Sequence, residues 1–235
     1  MAEALGVDVE CHADIVAGSI EKVGIGLFNG MSPQIHPRAL GRILSKMFFG
    51  STLNIAASLA NPASPKMGVR GVYAKEMILP VTKAMKAIGY KRAVVLYGSI
   101  DGSDKGMDEA SVCGTTFCAE LTDKGEIREF SFRPEKVGLN CHDPIHLIPA
   151  DNIRREAKRF VSLIRGKGND ACKEAALLNA GLIFYTAGKA DSIRDGIEKA
   201  ACVLNDGIAY HTLEKWVQAQ NNDPESGMKK LADLN

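Results

Sequence analysis

The chain has 235 residues, 46% of them apolar and 24% charged, which is enough to bury a core and too apolar for a disordered segment. Lys and Arg number 29 against 28 Asp and Glu, a formal charge of +1. That leaves no global attraction for nucleic acid or an anionic membrane, and neither is expected as a partner. No apolar run reaches the roughly 18 residues of a membrane span, and the opening MAEALGVDVECHADI has acids in place of the apolar core of a signal peptide. The six cysteines, Cys11, Cys113, Cys118, Cys141, Cys172 and Cys202, form no CxxC pair and have no zinc-site spacing. A cytoplasmic protein with reduced thiols is expected.

In chain order, the opening reads as the end of a helix stopped by Gly6. Residues 13–21 read as a short helix and 23–28 as a strand. Pro33 and Pro37 bracket a loop around His36. Residues 38–48 carry apolar side chains at helical spacing, and 51–59 form a second short helix closed by Asn61-Pro62. Residues 68–73 are a short strand, and 75–89 an amphipathic helix with Met77, Val81, Met85 and Ile88 on one face. Residues 93–97 are wholly apolar, the pattern of a strand buried in a parallel sheet. Residues 115–121 and 126–132 alternate about Thr-Asp-Lys-Gly, a β-hairpin pattern. Beyond Pro149, residues 152–164, 170–185, 192–204 and 207–220 read as helices, and the polar tail from Asn221 as frayed. The strand–helix–strand order predicts an α/β fold with a mostly parallel sheet flanked by helices, in one domain over 1–235.

In such sheets ligands bind beyond the carboxyl ends of the strands. The loop that follows the buried strand runs from Gly98 to Ser111 and holds Asp101, Asp104, Asp108 and Glu109 among three glycines. The adjacent carboxylates Asp108 and Glu109 suit Mg²⁺, which takes one or two protein carboxylates and completes its shell with water and phosphate oxygens. A solvated acidic loop is the alternative.

Several blocks, in order, carry a resemblance. They are Val23 to Phe28 before His36-Pro37; Asn61-Pro62; Gly71-Val72-Tyr73; Ala93-Val94-Val95; Gly98; Asp108-Glu109-Ala110-Ser111; Gly114-Thr115-Thr116; Gly138-Leu139; Leu177-Leu178-Asn179-Ala180; and Ala187 to Ser192. Together they resemble the anthranilate phosphoribosyltransferases, from about Met1 to Trp216. The resemblance implies a larger α/β domain with remnants of a small helical one. It also implies transfer of phosphoribosyl from phosphoribosyl pyrophosphate (PRPP) to the amine of anthranilate, in tryptophan biosynthesis. On that pattern Asp108 and Glu109 match the family's Mg²⁺-binding pair. Lys46 falls ten positions after His36, where the family has an arginine for the anthranilate carboxylate. Arg42 is a rival, because the alignment is about two residues short before Asn54. Lysine keeps the charge and loses the bidentate fork. His36 either lines the same pocket or caps its loop.

The sequence also departs from the family. The glycine-rich phosphate loop Gly-Thr-Gly-Gly-Asp and the segment Lys-His-Gly-Asn do not occur in it. Three readings compete: Met1 is internal to a longer enzyme; a partner chain supplies the N-terminal half; or the chain is a non-catalytic homologue that binds nucleic acid or acts as a scaffold. For the last, Lys66, Arg70, Arg154, Arg155, Lys158 and Arg159 are candidates for local basic patches. The family dimerises through its helical domain, so a homodimer is left open. His142 and His146 have the spacing of a helical metal pair, but Pro144 between them points to a loop.

Overall fold

The structure, a computed structural model, describes residues 1–30, 32, 46, 56 and 59–234. The predicted helices at 38–48 and 51–59 and the loop holding His36 therefore lie outside the described residues, apart from single positions. In chain order the elements are α1 (Ala13–Val23), β1 (Met67–Gly71), α2 (Ile78–Ala87), β2 (Arg92–Ser99), β3 (Gly106–Met107) and β4 (Thr116–Leu121). They continue with β5 (Ile127–Phe132), α3 (Ile153–Ile164), α4 (Asp170–Thr186), α5 (Ile193–Asn205), α6 (Ile208–Ala219) and α7 (Pro224–Ala232). The sequence reads as one domain. The chain divides instead into two compact units, a helical one (Met1–Ser64, Pro149–Lys167, Asp206–Asn235) and a sheet one (Pro65–Ile148, Gly168–Asn205).

The helical unit gathers its core from distant parts of the chain. Leu5 and Val7 pack with Ala157 and Val161 of α3, Leu213 and Val217 of α6, Leu231 of α7, and Leu234. The opening is a single 3-10 turn, Ala2–Leu5, ended by Gly6 in the left-handed region at φ 97°. Helix α1 starts on His12, whose Nδ1 accepts from the Asp14 N–H at 3.4 Å. It runs two residues further than its periodicity suggests, to Gly24 at φ 83°.

Two expectations fail here. The predicted strand at 23–28 does not form: Val23 ends α1, Gly24 caps it, and residues 25–28 have no partner strand among the described residues. Their backbone pairs with a side chain instead. The Gln220 amide accepts from the Leu27 N–H at 2.7 Å and donates to the Leu27 carbonyl at 2.9 Å. The same amide donates to the Asp8 carbonyl at 3.3 Å and accepts from Trp216 Nε1 at 2.9 Å. The polar tail is not frayed either. Asp223 caps α7 through the Ser226 N–H at 3.1 Å, Pro224 occupies the first turn, and Leu231 is buried.

The sheet unit has the strand order β1-β2-β4-β5, with β3 on β2. β1 and β2 are parallel, from Met67 opposite Arg92 to Gly71 opposite Leu96. β2 to β4, β4 to β5 and β2 to β3 are antiparallel. The α/β class and the flanking helices hold, but the described sheet is mixed where a mostly parallel one was expected. The physical reason is connection length. β4 and β5 are joined by a tight turn, which only antiparallel neighbours allow. β1 and β2 are joined through α2, as a parallel pair requires.

Ala93, Val94, Val95 and Leu96 of β2 are all buried, because both faces of the strand are covered. Val94 and Leu96 cluster with Leu178 and Leu182 of α4 and Ile197 of α5, and α2 packs on β2 and β4. Helix α4 is capped by Asn169, which accepts from the Cys172 N–H at 2.7 Å. Among the described residues no helix is long and apolar enough to cross a membrane.

Candidate metal and substrate site

The acid pair sits at the carboxyl edge of β1 and β2. Just past the parallel pairing, Gly98 of β2 lies opposite Met107 of β3 on one side and Thr116 of β4 on the other. β3 delivers the chain directly into Asp108 and Glu109, whose placement in the sequence follows it without a break. Their backbone rests on two glycines. A Cβ on Gly71, the last residue of β1, would overlap the Asp108 carbonyl, and one on Gly98 would overlap the Glu109 carbonyl. Any other residue at either position would lift the pair off the sheet. Both acids are exposed to solvent.

Beyond the pair the chain is held again. Asn179 of α4 accepts from the Ala110 N–H at 3.0 Å and donates to the Ala110 carbonyl at 3.2 Å. Buried Ser111 donates from Oγ to the Ser99 carbonyl at 2.7 Å, accepts from the Cys113 N–H at 3.0 Å, and gives its own N–H to Thr116 Oγ1 at 2.9 Å. Ser99 Oγ in turn donates to the Thr115 carbonyl at 2.9 Å. Before the pair, Asp101 makes a two-pronged contact with Arg133, at 3.2 and 2.8 Å. The Arg133 hydrogen bond holds the Asp101 carboxyl below its ordinary pKa.

Arg70 of β1 adds a cation. Burial pulls its pKa down, while the charges of Tyr90 and Asp108 favour the protonated form. Its buried Nε has no hydrogen-bond partner among the described residues.

Of the residues singled out from sequence, Asp108 and Glu109 are chain neighbours and both are exposed. Lys46 belongs to the helical unit, exposed in a turn. His36 and Arg42 lie outside the described residues. His142 is engaged with an acid, its Nε2 lying 2.9 Å from Glu174 Oε2, and Pro144 opens the 3-10 turn Pro144–Leu147. No group of three His, Cys, Asp or Glu side chains able to hold a metal exists among the described residues. An all-protein metal cage is therefore not built by them. Two neighbouring exposed carboxylates do fit a cation that keeps most of its shell for water and phosphate.

The basic residues weighed for nucleic acid are split between the units. Lys66 and Arg70 belong to the sheet unit, and the other four lie on α3. There Arg155 pairs with Asp151 at 2.8 Å and Arg159 with Glu156 at 3.3 Å. Sequence reasoning gives Asn179 no task, although it stands inside one of the matching blocks. An asparagine within a helix, where its propensity is modest, is the available signal.

Residues 1–210 match the sequence model of a family described as "Glycosyl transferase family, a/b domain". The chain belongs to this family. It is 33% identical over 223 residues to the anthranilate phosphoribosyltransferase of Brucella canis, covering 94% of this chain and 62% of that protein. The family fold is shared with the anthranilate phosphoribosyltransferase of Thermus thermophilus at TM-score 0.79 and 29% identity, over 93% of this chain and 63% of that one. It is shared also with the Saccharomyces cerevisiae enzyme solved in complex with PRPP and Mg, at TM-score 0.77 and 19% identity, over 93% of this chain and 61% of that one. The chain thus spans about 62% of the length of the curated family members it matches.

Proposed function

We propose that this chain carries the metal-binding part of an anthranilate phosphoribosyltransferase-like enzyme, which moves phosphoribosyl from PRPP to an aromatic amine such as anthranilate. One observation carries the reading: two exposed carboxylates, Asp108 and Glu109, stand on a backbone seated against Gly71 and Gly98 at the carboxyl edge of β1 and β2.

In this transfer the bond from the ribose carbon to pyrophosphate breaks, a bond from that carbon to the amine nitrogen forms, and the amine releases a proton. Negative charge collects on the departing pyrophosphate. Mg²⁺ supplies the positive charge that neutralises it. Asp108 and Glu109 would hold the ion, leaving the rest of its shell to water and phosphate oxygens. Lys46 offers a charge to the acceptor's carboxylate, with His36 as the second candidate in that pocket. The phosphate cradle comes from residues outside this sequence, in the same protein or on a partner chain, and a homodimer is compatible with either. A cytoplasmic role in tryptophan biosynthesis follows from the same reading.

The test is pyrophosphate release from PRPP with Mg²⁺ and anthranilate, by this chain alone and with the polypeptide encoded immediately upstream. Turnover is expected in at least one arrangement, and Asp108→Ala should lower it by at least about 100-fold, the size of a lost electrostatic stabiliser. A folded protein without turnover in either arrangement, or an Asp108→Ala variant as active as the parent, would sink the proposal.

A further inference from the structure

We infer that Asn179 is a positioning residue for the Asp108–Glu109 pair, an inference that rests on the metal reading above. Ala110 is the first residue after the pair, and the Asn179 side chain binds it at two points, as a neighbouring strand would: Oδ1 to its N–H at 3.0 Å and Nδ2 to its carbonyl at 3.2 Å. The second Nδ2 hydrogen goes to the Ala175 carbonyl at 2.9 Å, one turn back on the same helix. Both donor hydrogens of the amide are used, which fixes its rotamer and its orientation.

The helix beneath is fixed in its turn. Leu178 and Leu182, on either side of Asn179, are wholly buried against β2. β3 holds the chain on the other side of the pair, through Met107 opposite Gly98. The two carboxylates therefore hang from a short span pinned at both ends. Asn179 supplies the only side-chain amide contact to the span's downstream end among the hydrogen bonds of the described residues. Metal ligands are commonly oriented by such outer contacts, whose loss costs about 10- to 100-fold in metal affinity.

The test measures Mn²⁺, a paramagnetic stand-in for Mg²⁺, bound in the presence of PRPP to the protein alone and with the polypeptide encoded immediately upstream, by electron paramagnetic resonance. The proteins compared are the parent, Asn179→Ala, Asn179→Asp, Asp108→Asn and Leu178→Val. Leu178→Val trims the same helix's core side chain and leaves the Asn179 amide in place, so it reports a merely structural effect. Asn179→Ala is expected to weaken Mn²⁺ about 10-fold or more and to speed exchange of the Ala110 amide. Leu178→Val should leave Mn²⁺ affinity unchanged. Asn179→Asp keeps the acceptor for the Ala110 N–H and drops the donor, so it should fall between. It carries the test if the alanine variant does not fold. If Asp108→Asn abolishes Mn²⁺ binding while both Asn179 variants bind as the parent does, the positioning role is overturned and the metal reading stands. If Asp108→Asn binds Mn²⁺ as the parent does, both are overturned. Equal weakening in Leu178→Val and Asn179→Ala would overturn the positioning role alone.

Discussion

Gln220 shows how much one side chain does in the helical unit. Its amide is wholly buried and makes four hydrogen bonds, two of them to Leu27. Gln220→Leu keeps the volume and leaves the Leu27 N–H, the Trp216 indole N–H and two carbonyls short of partners. A fully buried orphan costs about 1–3 kcal/mol, and these groups are only part-buried, so each costs less. A destabilisation of about 2–4 kcal/mol is expected in urea unfolding. A loss under about 0.5 kcal/mol would show that water replaces the amide. Asp101 gives a pH dependence. Its folded pKa is lowered by the Arg133 hydrogen bond. The contact is therefore fully present above the ordinary carboxylate value of about 3.9 and is lost as pH falls through the lower folded one. Relative to its intrinsic rate at each pH, amide exchange at Ile100 and Asp101, whose N–H groups bond the Lys105 and Cys113 carbonyls, should quicken below about pH 4. In Asp101→Asn that acceleration should vanish. At this scale Asp108 and Glu109 are legible as an adjacent carboxylate pair after an apolar run. Gln220 and Asn179 are not, because an amide that imitates a strand looks in sequence like any solvated polar residue.

Among the elements, the hairpin and helices α3 to α6 are readable from sequence: α3, α5 and α6 each have one apolar face, and α4 is a long run apolar on most sides. For β2 the pattern reports burial correctly and the neighbours' direction incompletely. An apolar run reports covered faces and says nothing about which way the neighbours run. The helix at the C-terminal end escapes the pattern although Asp223-Pro224-Glu225 is a helix-start signal. Its apolar face consists of little beyond Met228, Leu231 and Leu234, too few for a visible stripe. The helix pair α4–α5 is packed through glycine. A Cβ on Gly196 would overlap the Gly181 carbonyl. Alanine is the better helix former by about 1 kcal/mol, yet Gly196→Ala is expected to destabilise the protein by about 1–3 kcal/mol, because the overlap forces two backbones apart. A thermal midpoint equal to or above the parent's would show that the helices shift freely.

At the scale of the whole molecule, the division into two units is the least legible feature. No composition change marks its boundaries, because the helical unit is assembled from three separate stretches of chain. The sheet unit is assembled from two, and the acid pair lies in one while its Asn179 support lies in the other. The helical unit imposes an order on synthesis. Leu5 and Val7 find core partners in Leu213, Val217 and Leu231, which leave the ribosome roughly 200 residues later. At about 5–20 residues per second, some 10–40 seconds separate the first of these side chains from the last. The β4–β5 hairpin needs only its own local residues. Leu5 and Val7 therefore wait uncovered while the sheet unit is being made, and their segment is a natural client of a chaperone during that interval.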